Sequence, residues 1–177
     1  LGSWGDALLV GPGLGRGAHA EALVERCLRG STVPVVIDAD ALNAFAGEPA
    51  AFAPLIGTRP ALLTPHPLEF ARVTGADAAM VNAGRFEVSR QLASIAGAAV
   101  LLKGVPTVVT APDGRTIVSA SGTPVLGQGG SGDMLAGIAV TLMAQVGSAL
   151  EAGAAAAWVH GRAAELAAPQ GEIRGVT

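Results

Sequence analysis

The chain has 177 residues, 50% hydrophobic and 14% charged, enough for one domain with a sizeable core and too apolar for disorder. A net charge of −3 and scattered arginines leave no basic face for nucleic acid, and the single Cys27 excludes an internal disulfide. No Cys/His cluster points to zinc, and no leader of basic then apolar residues is visible, so a cytoplasmic protein is expected.

In chain order, residues 7–10 are an apolar run ending in Gly-Pro-Gly, which reads as a buried strand entering a tight loop. Residues 19–29 place Ala22, Leu23 and Cys27 at helical spacing. Residues 33–38 (VPVVID) read as a second strand and 39–46 as a short helix. Ala61–Leu63 is a third strand, closed by Thr64-Pro65-His66-Pro67, and Pro67 suits the first turn of a helix over Pro67–Thr74. The pattern predicts a helix over 82–96 with Asn82 as its N-cap, then a strand over 98–102. Thr107–Thr110 and Thr116–Ser119 flank Pro112-Asp113-Gly114, a hairpin signal. Two apolar helices follow, over 133–145 and 148–168. The uncharged run 134–150 contains Gly137, Gln145, Gly147 and Ser148, which favours a buried helix over a membrane span. Strands alternating with helices predict a largely parallel sheet covered on both faces, in one domain without an internal boundary.

Five loops at predicted strand ends carry the polar and glycine-rich residues, where open α/β sheets bind ligands. GPGLGRG brings backbone amides toward an anion at a helix N-terminus. Within it Gly13, Gly15 and Ala18 fit G-x-G-x-x-A, and Asp38 follows about 20 residues on, as a dinucleotide fingerprint requires. A Rossmann oxidoreductase and a purely structural turn both stand as alternatives there. GQGGSGD has the spacing of a phosphate-binding loop, but Asp133 stands where a Walker A motif needs lysine. A carboxylate in a phosphate cradle suits a base that accepts the proton of an attacking hydroxyl, and otherwise a helix cap. Lys103, the only lysine, ends an apolar strand and is expected to reach a phosphate. His66 and Glu69 are candidate ligand contacts or parts of a helix cap. Asp38 and Asp40 orient Mg²⁺ through water or cap the next helix.

LLVGPGLGRG, VVIDADALN, LLTPHPLEFARVTG, VLLKGVPTVV with PDG, and GQGGSGDMLAGI, in this order, resemble the NAD(P)H-hydrate dehydratase family over nearly the whole chain. The resemblance implies a ribokinase-like α/β fold. It also implies transfer of the terminal phosphate of ADP or ATP to the hydroxyl of hydrated NADH or NADPH, with loss of phosphate restoring the dihydronicotinamide. By that resemblance Gly13, Gly15, His66, Pro67, Leu68, Glu69, Phe70, Ala71, Arg72 and Asp133 contact the hydrated dinucleotide. Lys103, Gly104, Val105, Pro106 and Thr107, together with the stretch from Thr123 through Gly129, Gly130, Ser131 and Gly132, hold the nucleotide. Asp133 is the implied base, Mg²⁺ comes with the nucleotide, no residue is assigned as a metal ligand, and a homo-oligomer is expected. The family's domain has a further N-terminal stretch with sheet strands, and it adds a last helix after the point reached by residues 171–174. Residues 1–177 are therefore expected to be one partial domain, truncated at the N-terminus. A small-molecule kinase of the hydroxyethylthiazole type and a non-catalytic fragment are the further alternatives.

Overall fold

The structure is a computed structural model and describes residues 5–168. Six strands, β1 (Leu8–Val10), β2 (Val35–Ile37), β3 (Ala61–Leu63), β4 (Ala99–Leu102), β5 (Thr107–Thr110) and β6 (Thr116–Ser119), lie side by side in chain order. β1 to β4 are parallel. β5 and β6 are each antiparallel to their predecessor, so β6 again points the same way as β4.

Side chains alternate across this sheet and build two cores. On one face Ile37, Leu63 and Val100 pack with Leu28, Phe52, Phe70 and Leu92. These come from α1 (Ala18–Arg29), α3 (Phe52–Ile56), α4 (Pro67–Thr74) and α6 (Arg85–Ala96). On the other face Val36, Leu62, Leu101 and Val109 meet Ala136, Ala139 and Met143 of α7 (Ser131–Val146) and Ala152 and Ala156 of α8 (Ala149–Ala167). Strands buried on both sides explain the continuous apolar runs in the sequence. None of the described helices is long and apolar enough to cross a membrane.

The middle of the chain departs from the sequence-based expectation. The predicted Asn82 cap is incorrect: a separate α5 (Ala78–Ala83) is capped by Asp77, whose Oδ1 accepts from the Ala79 and Met80 amides. Gly84 then separates α5 from α6, and Asn82 accepts a hydrogen bond from Arg85 instead. The predicted helix over 39–46 shortens to α2 (Asp40–Asn43). A 3-10 turn at Pro49–Ala51 followed by α3 has no counterpart among the predicted elements; the five residues of α3 bury Phe52, Leu55 and Ile56 without a full helical period. The segment around 171–174 lies outside the described residues.

Candidate active site

Because β1 to β4 and β6 run in one direction, the loops after β1, β2, β3 and β4 and the segment leading to α7 share one edge of the sheet. Lys103 sits at their centre. Its ammonium lies 2.8 Å from Asp38 Oδ1 at the end of β2 and 4.0 Å from Glu69 Oε2 in α4. A Cβ placed on Gly132 would stand 3.3 Å from the same nitrogen, so Lys103 also reaches the first turn of α7. One cation thus joins the ends of β2 and β4 to the first turns of α4 and α7. It is already engaged by carboxylates.

The loop after β1 is locked to the loop after β2. Gly11 has φ +135°, and a Cβ there would lie 1.7 Å from the Asp38 carbonyl oxygen, so no larger residue fits. The Gly15 amide donates to Asp40 Oδ2 at 2.9 Å. Asp38 is 1% exposed and paired with Lys103, which leaves it closed to a ribose or to the water shell of a metal. That burial argues against the dinucleotide-fingerprint reading and leaves Asp40 as the open carboxylate of the pair.

In the TPHPLEF segment the helix-cap reading holds. His66 Nδ1 accepts from the Leu68 and Glu69 amides, and Glu69 Oε2 accepts from the His66 amide. Burial lowers the His66 pKa, partly offset by the neighbouring Glu69. Phe70 is 1% exposed and packs its side chain in the first core, which leaves only its backbone for a ligand. Ala71 is half-buried against that core, Pro67 opens α4, Leu68 is exposed, and Arg72 donates to Asn43 Oδ1 at 3.4 Å.

A cavity of about 340 Å³ opens beside Lys103. The turn after β4 supplies Lys103, Gly104, Val105 and Thr107; Ser131, Gly132 and Leu135 of α7 and the stretch Ser121–Gly127 supply the facing walls. Pro106 contributes its carbonyl to Arg85 and does not line the space. No side chain caps α7; the Ser131 amide donates to the Gln128 carbonyl at 3.4 Å, and the Gly132 and Asp133 amides are left open beside the positive end of the helix dipole. Asp133 lies in that first turn, exposed, with Gly129 and Gly130 before it; Gly130 adopts φ +87° at the N-cap.

Four contributors were missed. His160 of α8 lines the cavity, with Nε2 3.4 Å from Ser131 Oγ, and burial lowers its pKa. Glu165 Oε1 accepts from the Gly122 amide at 2.8 Å, fixing the cavity wall, and this bond lowers its pKa. Gly161 lets α8 approach that wall, because a Cβ there would lie 2.6 Å from the Ser121 carbonyl. Arg85 holds the turn after β4 from beneath. Arg85 stands in α6 and the other three in α8, helices that nothing in the sequence brings to a strand-end loop. Among the described residues no cluster of three His, Cys, Asp or Glu side chains could hold a metal.

The sequence profile of the NAD(P)H-hydrate dehydratase family matches residues 1–177. The chain belongs to the NAD(P)H-hydrate dehydratase family. It is 42% identical over 162 residues to the ADP-dependent (S)-NAD(P)H-hydrate dehydratase of Neisseria meningitidis, covering 91% of this chain and 55% of that protein. A crystal structure of ADP/ATP-dependent NAD(P)H-hydrate dehydratase from Bacillus subtilis, co-crystallised with ATP and Mg²⁺ and soaked with CoA, superposes with a TM-score of 0.77. The identity is 30%, over 91% of this chain and 57% of that one. A ribokinase-like superfamily protein from Enterococcus faecalis superposes at a TM-score of 0.72 and 25% identity, over 89% and 54%. The dehydratase-family chain is thus ribokinase-like, and it spans just over half the length of these relatives.

Proposed function

We propose that the protein carrying this chain returns hydrated NADH or NADPH to its reduced form at the expense of ADP or ATP. The observation that carries the reading is the uncapped, glycine-preceded first turn of α7, where Ser131, Gly132 and Lys103 line one cavity and Asp133 stands exposed in the same turn. The Neisseria relative is named as an ADP-dependent enzyme, which favours ADP as donor.

In this reading Lys103, Gly104, Val105 and Thr107, with Gly129, Gly130, Ser131 and Gly132, hold the nucleotide, and Pro106 shapes the turn that carries the first four. Gly13, Gly15, His66, Leu68 and Arg72 face the hydrated dinucleotide, and Pro67, Glu69 and Ala71 shape the α4 end of that surface. The substrate hydroxyl oxygen attacks the terminal phosphorus, the bond from phosphorus to the departing nucleotide breaks, and Asp133 takes the hydroxyl proton. The carbon–oxygen bond of the phosphate ester then breaks, driven by the ring nitrogen lone pair, and loss of a proton from the adjacent carbon restores the ring. With ADP the sum is reduced nicotinamide, AMP and phosphate. The α7 amides and dipole stabilise charge on the transferring group. Mg²⁺, which neutralises phosphate charge when bound, fits a site without its own ligand cluster, because it is commonly held by substrate phosphates, water and few carboxylates.

The test incubates the full protein with hydrated NADPH and follows the near-ultraviolet absorbance of the reduced nicotinamide. Recovery is expected only with ADP or ATP and Mg²⁺, with one phosphate released per turnover. Recovery at the same rate without nucleotide, or accumulation of a stable phosphate ester, would overturn the reading.

A further inference from the structure

We infer that Arg85 is a positioning residue for the nucleotide, holding the turn between β4 and β5 in the shape that presents Lys103, Gly104 and Thr107 to the cavity. The inference rests on the nucleotide reading above.

Arg85 is the first residue of α6 and is 8% exposed. Its Nη2 donates to the Leu102 and Lys103 carbonyls at 2.9 and 2.8 Å, its Nε to the Pro106 carbonyl at 3.1 Å, and its Nη1 to Asn82 Oδ1 at 3.2 Å. Both ends of the turn are therefore gripped by one planar fork, a geometry the lysine ammonium cannot reproduce. The turn lies flat on that fork: Gly104 has φ +144°, and a Cβ there would meet the three terminal guanidinium atoms at 2.6 to 2.9 Å. Thr107 Oγ1 closes the turn on the Gly104 carbonyl at 2.8 Å.

Two features separate this from a plain strand-end cap. Lys103 is fixed twice, its carbonyl by Arg85 and its ammonium by Asp38, so the aim of the only lysine depends on the fork beneath it. The guanidinium is also charged and buried against neutral oxygens, with no carboxylate paired to it among the described residues. Buried arginines ordinarily have an acidic partner. A phosphate in the adjoining cavity supplies negative charge on the far side of a turn that is only one backbone thick.

Calorimetry with ADP on the full protein, and steady-state constants for ADP and hydrated NADPH, test this with Arg85→Lys and Arg85→Ala. The lysine variant keeps the charge and loses the fork, so ADP affinity is expected to fall by about tenfold or more, as for lost hydrogen bonds to a charged group. KM for the hydrate is expected to hold. In Arg85→Ala, added guanidinium ion at non-denaturing concentration is expected to restore part of the ADP affinity. Unchanged ADP affinity in a folded Arg85→Lys protein, or a hydrate KM that rises in step with that for ADP, overturns the inference. If the Arg85 variants do not fold, Gly104→Ala, whose Cβ presses the turn off the fork, is read the same way. An unaltered protein that binds ADP but restores no reduced nicotinamide defeats the proposed function, while calorimetry still reads Arg85. One that binds no ADP defeats the inference as well.

Discussion

Asp133 and Lys103 both stand at the first turn of α7, and their surroundings assign them different kinds of dependence. Asp133 is exposed in the first turn, so it is free to change partners during a reaction. Asp133→Asn keeps size and reach but accepts no proton; turnover of the full protein is expected to fall about 10²- to 10⁴-fold. ADP affinity measured by calorimetry should hold or rise, since a negative charge near the phosphates is gone. Turnover close to the parent's would return Asp133 to the role of a helix-end acid. Lys103, by contrast, neutralises an aspartate that is 1% exposed. Lys103→Ala leaves that charge uncompensated, and a loss of about 3–5 kcal/mol in denaturant unfolding is expected. Adding Asp38→Asn should recover much of it, because the uncompensated charge then disappears. Equal destabilisation in the single and double variants would mean that the pair contributes nothing beyond packing. The glycine-rich cradle before Asp133 was legible in sequence because several glycines preceding an apolar helix have few other uses. The Asp38–Lys103 pair was not, since 65 residues separate partners that only parallel strand order brings together.

At the level of elements, α7 and α8 show how glycine in a helix takes its meaning from what faces it. Gly161 in α8 meets backbone, with a Cβ landing 2.6 Å from the Ser121 carbonyl carbon and oxygen, while Gly137 in α7 has nothing within 4 Å. Both substitutions to alanine gain helix propensity of up to about 1 kcal/mol. Gly137→Ala should therefore raise Tm. Gly161→Ala should lower it and weaken ADP binding, since the displaced Ser121–Gly122 stretch lines the cavity. Thermal melts showing the same sign for both would refute the packing argument. Neither glycine could be ranked from sequence, where both are simply small residues inside apolar helices. Strand positions were legible because apolar runs bounded by Gly and Pro leave few alternatives. The α5–α6 break was not, because Asp77 and Asn82 are both able caps, and the choice falls to Gly84 and to the Arg85 fork that claims Asn82.

For the molecule as a whole, strand order follows chain order, so every crossover from β1 to β4 shifts one place along the sheet and the loops after these strands line up on one edge. That convergence was legible in the sequence, since alternating strands and helices imply it, whereas the antiparallel turn-back at β5 and β6 was signalled only by the Pro-Asp-Gly hairpin. The same order leaves β1 at the margin of the sheet, with one side of its three-residue backbone unpaired among the described residues. Beside it α7 contacts β1 and, with α8, carries an open apolar groove of Met134, Ile138, Leu142 and Val159; Met134 is 65% exposed. An unpaired parallel strand next to an uncovered apolar surface is a template for association. Residues 1–177 produced in isolation are therefore expected to self-associate. Light scattering during gel filtration should give a mass above the monomer's, rising with concentration. Met134→Lys combined with Ile138→Lys should return it toward the monomer, since two charges in the groove oppose its burial. A parent chain that stays monomeric at all concentrations and melts cooperatively would show that the β1 margin and the α7 groove are stable in water as they stand.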